Sequence, residues 1–186
     1  MDFRLSDEQR MLQDLVTRFV EDELMPLEPA VLEREANGED GGLTEEELEP
    51  LHARCKELGL WGLDVPEEFG GANLDSVSLV IVNEALKRTA VPFTFPPDSP
   101  NLHMLLAVAN EEQRKKYLEP YARGESVSAI AISEPNAGGD PAGMITRAVQ
   151  DGDDWVINGR KIWVSRIRDA DFSIVMAVTD PEKGAR

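Results

Sequence analysis

The 186-residue sequence contains one cysteine, Cys55, and two histidines, His52 and His103, that stand far apart. A lone cysteine excludes an internal disulfide framework and a CxxC metal or redox centre. His52 lies amid apolar helical spacing and His103 beside Leu102, neither with a second ligand at metal-binding spacing. Both read as packing or surface residues, and no metal site is expected. Long apolar runs are also missing: residues 104–109 and 174–178 are the longest, far below the roughly 20 needed to span a bilayer. The start, Met1-Asp2-Phe3-Arg4, lacks the basic stretch and apolar core of a signal peptide. A cytoplasmic protein with no membrane insertion is the expectation. Basic residues are scarce too, with 19 Lys and Arg against 36 Asp and Glu, for a net charge of −17. Nucleic acid binding needs a basic stripe to displace phosphate counterions, and no such stripe exists, so a nucleic-acid partner is excluded. An anionic ligand would have to meet local positive charge or a helix N-terminus instead.

Helical periodicity fills the first 124 residues. Ser6 with Gln9 makes a capping-box pattern ahead of an apolar stripe of Leu12, Leu15, Val16, Phe19 and Val20. Pro26 and Pro29 are expected to end or bend that helix. Thr44 with Glu47 opens a second helix through Leu48, Leu51, Cys55 and Leu58, closed by Gly59. A third begins at Asp75 or Ser76 and runs to about Arg88. The proline-rich residues 92–100 predict a rigid irregular linker, and short helices follow near 101–109 and 111–121. After Gly124 the period changes to two. Strands are predicted at 127–133, 146–150, 155–157, 161–164 and 172–179, with Asn158-Gly159 as a type I′ hairpin turn. The chain therefore divides near 122–126 into a helical and a β domain.

Residues 129–165 combine apolar strands, a Gly-rich loop and two hydroxyls, Ser133 and Ser165, the second beside the indole of Trp163. Such parts can hold a flat redox-active ring. Taken singly they are bland: Ser133 and Ser165 read as strand-end serines, Trp163 as core, Gly138-Gly139 as a turn. No GxGxxG is present, so a Rossmann site is rejected. Glu134 reads either as an acid/base group or as a structural carboxylate at the loop entrance, the second reading being preferred.

Four blocks lift these readings: LGLWGLDVPEEFGG (58–71), EEQRKKYL (111–118), ISEPNAG (132–138) and NGRKIW (158–163). In order and spacing they resemble the acyl-CoA dehydrogenase family, over essentially the whole chain. The resemblance implies an α+β fold: an N-terminal all-helical domain (1–124), then an antiparallel β-barrel-like domain (125–186), truncated before a C-terminal helical bundle. It implies FAD as cofactor. The backbone and hydroxyl of Ile130, Ala131, Ile132 and Ser133 would meet the flavin's pyrimidine side. Trp163 would pack along the ring, Val164 would belong to the cofactor site, the Ser165 hydroxyl would bond flavin N5, and Gly138 and Gly139 would face the thioester. Three positions depart from the family pattern: Ile130 replaces an aromatic, Gly139 a serine, and Arg166 an asparagine.

The implied reaction is α,β-dehydrogenation of an acyl-CoA thioester, with hydride passing to flavin N5 and electrons to an electron-transfer flavoprotein or similar acceptor. The catalytic glutamate is expected beyond Arg186, so none of these residues is assigned as the base. A homodimer or homotetramer is expected at full length. Two alternatives stay open: an acyl-CoA oxidase or flavin monooxygenase of the same superfamily, and a non-catalytic half-length subunit that needs a partner chain.

Overall fold

A computed structural model describes residues 4–183, which fall into two compact units, Met1–Asp98 and Ser99–Arg186. Among the described residues no helix is long and apolar enough to cross a membrane.

The first unit is built from helices whose ends are fixed by their own side chains. α1 (Asp7–Phe19) begins at Ser6, whose Oγ accepts the Gln9 N–H at 3.1 Å while Gln9 Oε1 accepts the Ser6 N–H at 3.0 Å. Pro26 and Pro29 do not stop the helical winding. It passes through a π turn (Val20–Leu24) and a 3-10 turn (Met25–Leu27) into α2 (Glu28–Ala36). Each proline stands in the first turn of a new segment, where its missing N–H would have had no partner. α3 (Glu45–Leu58) carries the Thr44–Glu47 capping box, and Gly59 closes it with φ +71°. Glu47 also receives Arg34 Nη1 and Nη2, at 3.1 and 3.0 Å, so one carboxylate caps α3 and ties it to α2. α4 (Ser76–Leu86), capped by Asp75, packs against α1.

Residues 92–100 are more than a linker. Val91, Phe93 and Phe95 are buried in the same core as Phe19, Leu24, Cys55 and Leu86. Non-helical backbone, which prolines impose on their neighbours, turns alternate side chains the same way. Phe93 thereby meets Phe95 edge-on at 5.6 Å and Phe19 at 5.7 Å. His52 packs at right angles on Trp61, and burial lowers its pKa first, with Lys56 adding to the shift.

In the second unit α5 (Leu102–Val108) and a helical run of α6 (Glu111–Gln113), a π turn (Arg114–Leu118) and α7 (Glu119–Ala122) precede the strands. A buried polar chain joins them. Ser99 Oγ donates to the Tyr121 carbonyl at 2.9 Å, the Asn101 N–H donates to the Tyr121 hydroxyl, and Asn101 Nδ2 donates to Ser128 Oγ at 2.9 Å. Tyr117 and Tyr121 both pack on Phe172.

The strands correct the expected sheet. β1 (Ser128–Ala131) pairs in parallel with β4 (Phe172–Val175), in register Ser128 with Phe172 through Ala131 with Val175. β2 (Arg147–Asp151) pairs antiparallel with β3 (Asp154–Asn158). The sheet is therefore not wholly antiparallel, because β1 reaches β4 through a long crossover rather than a hairpin. No closed barrel forms among the described residues. The chain after β4 changes partner instead: Met176 N–H donates to the Ala131 carbonyl, then Val178 exchanges bonds with Thr146 and Ala148 beside β2.

Asn158-Gly159 is not a hairpin, and residues 161–164 form no strand. The hairpin turn lies at Gly152-Asp153, between the paired Asp151 and Asp154. Gly159 answers a different constraint: a Cβ there would collide with the Thr146 side chain. Its lack of a side chain admits the buried Thr146, not a left-handed turn.

Two substitutions test this packing. Phe93→Ala should lower unfolding free energy by about 3–5 kcal/mol in urea titrations, as expected for a buried ring in a continuous core; a loss under about 1 kcal/mol would return residues 92–100 to the status of a linker. Gly159→Ala should weaken the β unit, seen as faster amide exchange at Thr146 and Ala148; unchanged exchange there would mean that Thr146 can move aside.

Candidate functional site

Glu134 stands three residues past the end of β1, at the start of a tight turn through Pro135 and Asn136 closed by reciprocal Glu134–Ala137 backbone bonds of 2.8 and 3.2 Å. Its side chain is 1% exposed. A carboxylate so deeply enclosed needs donors for both oxygens. Oε2 accepts the Ile145 N–H at 2.7 Å, and Oε1 accepts the Thr146 N–H and Lys161 Nζ, both at 2.9 Å. Its surroundings hold the carboxyl well below its ordinary value of 4.5, down to about 2; the Ile145 N–H is the largest cause, followed by the Thr146 side chain, with Lys161 and the Thr146 N–H adding to them. Glu134 is a fixed anion that joins three stretches of chain.

Lys161 extends the connection. Its Nζ also donates to the Ile132 carbonyl at 2.8 Å and lies 3.6 Å from Met144 Sδ. One residue on, the Ile162 N–H donates to the Ser133 carbonyl at 3.0 Å. Residues 132–134 are thus clamped to 161–162 by three bonds. Lys161 carries no role in the sequence reading; the available signal was a lone cation in the otherwise apolar KIWV stretch.

The clamp sorts the candidate residues. Ile132 and Ser133 are brought against Ile162, and Trp163 follows at once. Trp163 is 88% exposed, with its backbone at φ +56°, a conformation that L residues with bulky side chains rarely take. An indole in solvent on a strained backbone contradicts a core role for this residue. Ser133 is half-buried, and its N–H has no protein partner among the described residues. Ile130 and Ala131 lie within β1, paired with Ile174 and Val175, and the Ala131 carbonyl is occupied by Met176. Val164 is half-buried; Ser165 is exposed at the start of a turn. Gly138 and Gly139 are exposed, with no atom within 4 Å of where a Cβ would stand. No hydrogen bond among the described residues joins Ser165, Gly138 or Gly139 to the clamp. Cys55 is chemically quiet, since burial pushes its thiol up to about 12.

Sequence models for the N-terminal and middle domains of acyl-CoA dehydrogenase match residues 6–125 and 129–186. The chain is 42% identical to (R)-benzylsuccinyl-CoA dehydrogenase of Thauera aromatica, over 98% of its own length and 47% of that protein. A putative acyl-CoA dehydrogenase from Mycobacterium abscessus superposes with a TM-score of 0.79 at 33% identity, over 96% of this chain and 48% of that one. A glutaryl-CoA dehydrogenase from Mycobacterium smegmatis in complex with FADH2 superposes with a TM-score of 0.69 at 27% identity, over 95% and 44%. The chain spans about half the length of these relatives.

The depressed Glu134 value fixes a pH dependence. Folding with the carboxyl ionised stabilises the protein fully above about 4.5, and that contribution is lost as pH falls toward about 2, where the folded form also takes up the proton. The melting-temperature gap between wild type and Glu134→Gln should therefore narrow from pH 5 to pH 2. A gap that stays constant over this range would mean that the ionised carboxyl contributes nothing.

Proposed function

The chain belongs to the acyl-CoA dehydrogenase family, and we propose that it forms the flavin-ring side of an FAD-dependent enzyme that dehydrogenates acyl-CoA thioesters between the α and β carbons. One observation carries this reading: the clamp bonds Ser133, whose N–H has no partner among the described residues, to Ile162, the neighbour in sequence of an indole left in solvent. An isoalloxazine has apolar faces and an edge rich in acceptors, so an exposed aromatic plane with nearby N–H and hydroxyl donors suits it. FAD, when bound, supplies the hydride acceptor.

The roles of the chain's own residues follow from their chemistry. Ile130, Ala131, Ile132 and Ser133 would bound the pyrimidine side, where a fixed donor stabilises developing negative charge. Trp163 and Val164 would cover the ring and exclude water, and the Ser165 hydroxyl would orient the reacting edge. Gly138 and Gly139 lie on an open loop with space for a thioester. Glu134 is not the base, because its oxygens are already committed to three donors. No residue of the chain is assigned that role. The proposal extends to helical (1–124) and β (125–186) domains, an electron-transfer flavoprotein or similar acceptor, and a homodimer or homotetramer for the complete enzyme.

FAD titration of the purified chain, followed by flavin fluorescence, tests the reading. Weak binding and little acyl-CoA turnover are expected, with Trp163→Ala weakening binding about three- to tenfold, the range of a stacking contact. Tight stoichiometric flavin with full turnover by these 186 residues would contradict the missing base. Unchanged affinity in Trp163→Ala would remove the indole from the site. Rapid oxidation of the reduced complex by oxygen would favour the oxidase alternative.

A further inference from the structure

An ammonium that bonds a backbone carbonyl acts on the whole peptide unit. It draws electron density toward the oxygen and leaves the N–H of the same amide a stronger donor. Lys161 does this to the peptide between Ile132 and Ser133: its Nζ stands 2.8 Å from the Ile132 carbonyl oxygen. That peptide is trans, so the Ser133 N–H points away from the lysine, and it has no protein partner among the described residues. The Lys161 side chain is 10% exposed and that of Glu134 1%, so solvent and salt screen the pair little. The third neighbour of the ammonium, Met144 Sδ, is a weak acceptor that neutralises nothing. Stability alone accounts poorly for such a pair, because a buried ion pair gives little net gain over apolar residues of the same shape.

We propose that Lys161 is a positioning residue for the bound flavin: it polarises the Ile132–Ser133 peptide, strengthens the Ser133 N–H as a donor, and biases the site toward the reduced, more electron-rich ring. Glu134 keeps the ammonium in place. This rests on the flavin reading above. The lysine touches neither ring nor substrate and acts through one peptide bond.

Equilibrium dialysis of the 186-residue chain measures the bias without any turnover. Dissociation constants are taken at pH 8 for oxidised FAD in air and for dithionite-reduced FAD under nitrogen. The wild-type chain should hold the reduced form more tightly. Lys161→Met should shrink the ratio of the two constants about tenfold, equivalent for a two-electron couple to a potential about 30 mV more negative. Lys161→Arg, which keeps the charge, should restore most of the ratio. Glu134→Gln should lower the melting temperature yet keep the ratio, since its amide oxygen still accepts from Lys161 and leaves the ammonium on the Ile132 carbonyl. The double variant Glu134→Gln/Lys161→Met keeps the pair's shape without its charges; shown to be folded by circular dichroism, it should match Lys161→Met. Equal effects of Glu134→Gln and Lys161→Met on the ratio, or no effect of either, would overturn the proposal and leave the pair purely structural. Failure of the wild-type chain to hold either form would overturn the flavin reading itself, and the role of Lys161 with it.

Discussion

A carboxylate removed from water must be given donors, and in the β unit this requirement falls on Glu134. Its oxygens collect two backbone N–H groups and one ammonium from stretches of chain that are far apart in sequence. Breaking such a cluster leaves a charge without solvent or partner, which is among the costliest changes a small fold can suffer. The arrangement of Ile132, Ser133, Ile162 and Trp163 follows from it. The pair of two-stranded ladders, joined through the backbone by Val178 at Thr146 and Ala148, would fix these residues far less well.

The two units use different means to reach order. In Met1–Asp98 the sequence repeats one solution, side-chain caps at helix starts and an apolar core inside, and Glu47 serves both a cap and an ion pair. In Ser99–Arg186 polar groups are buried along specific chains of bonds, from Ser99 through Tyr121 and Asn101 to Ser128, and from Ile132 through Lys161 to Glu134. Burial of polar groups demands particular geometry where burial of methyl groups does not. That demand suits the proposal that this unit holds a ligand at fixed distances.

The same difference explains what could be read in advance. The capping boxes at Ser6 and Thr44, the Gly59 stop and the Asp75 start are local patterns, and local patterns survive in a linear string. The role of Phe93 and Phe95 was hidden because prolines signal a loop, and whether a loop lies inside or outside depends on distant residues. Asn158-Gly159 misled for a related reason: its glycine meets a close neighbour, Thr146, that no short-range rule can foresee. The stretch 161–164 alternates like a strand, yet it is drawn to Glu134, Ile132 and Ser133 rather than to a ladder. Trp163 is left with a positive φ and an indole in solvent. Such conflict between local preference and final structure is characteristic of functional segments. Lys161 was visible as a residue and illegible as a role until its carbonyl partner was known.

The central claim is that the Glu134–Lys161 clamp presents Ser133 and Trp163 to a flavin ring. Residue-resolved amide exchange of the chain, with and without saturating FAD, tests it most directly. The account predicts slowed exchange at Ser133 and over 162–165, with the helix Glu45–Leu58 unaffected. Protection elsewhere, with Ser133 and Trp163 exchanging as fast as in the free protein, would contradict it.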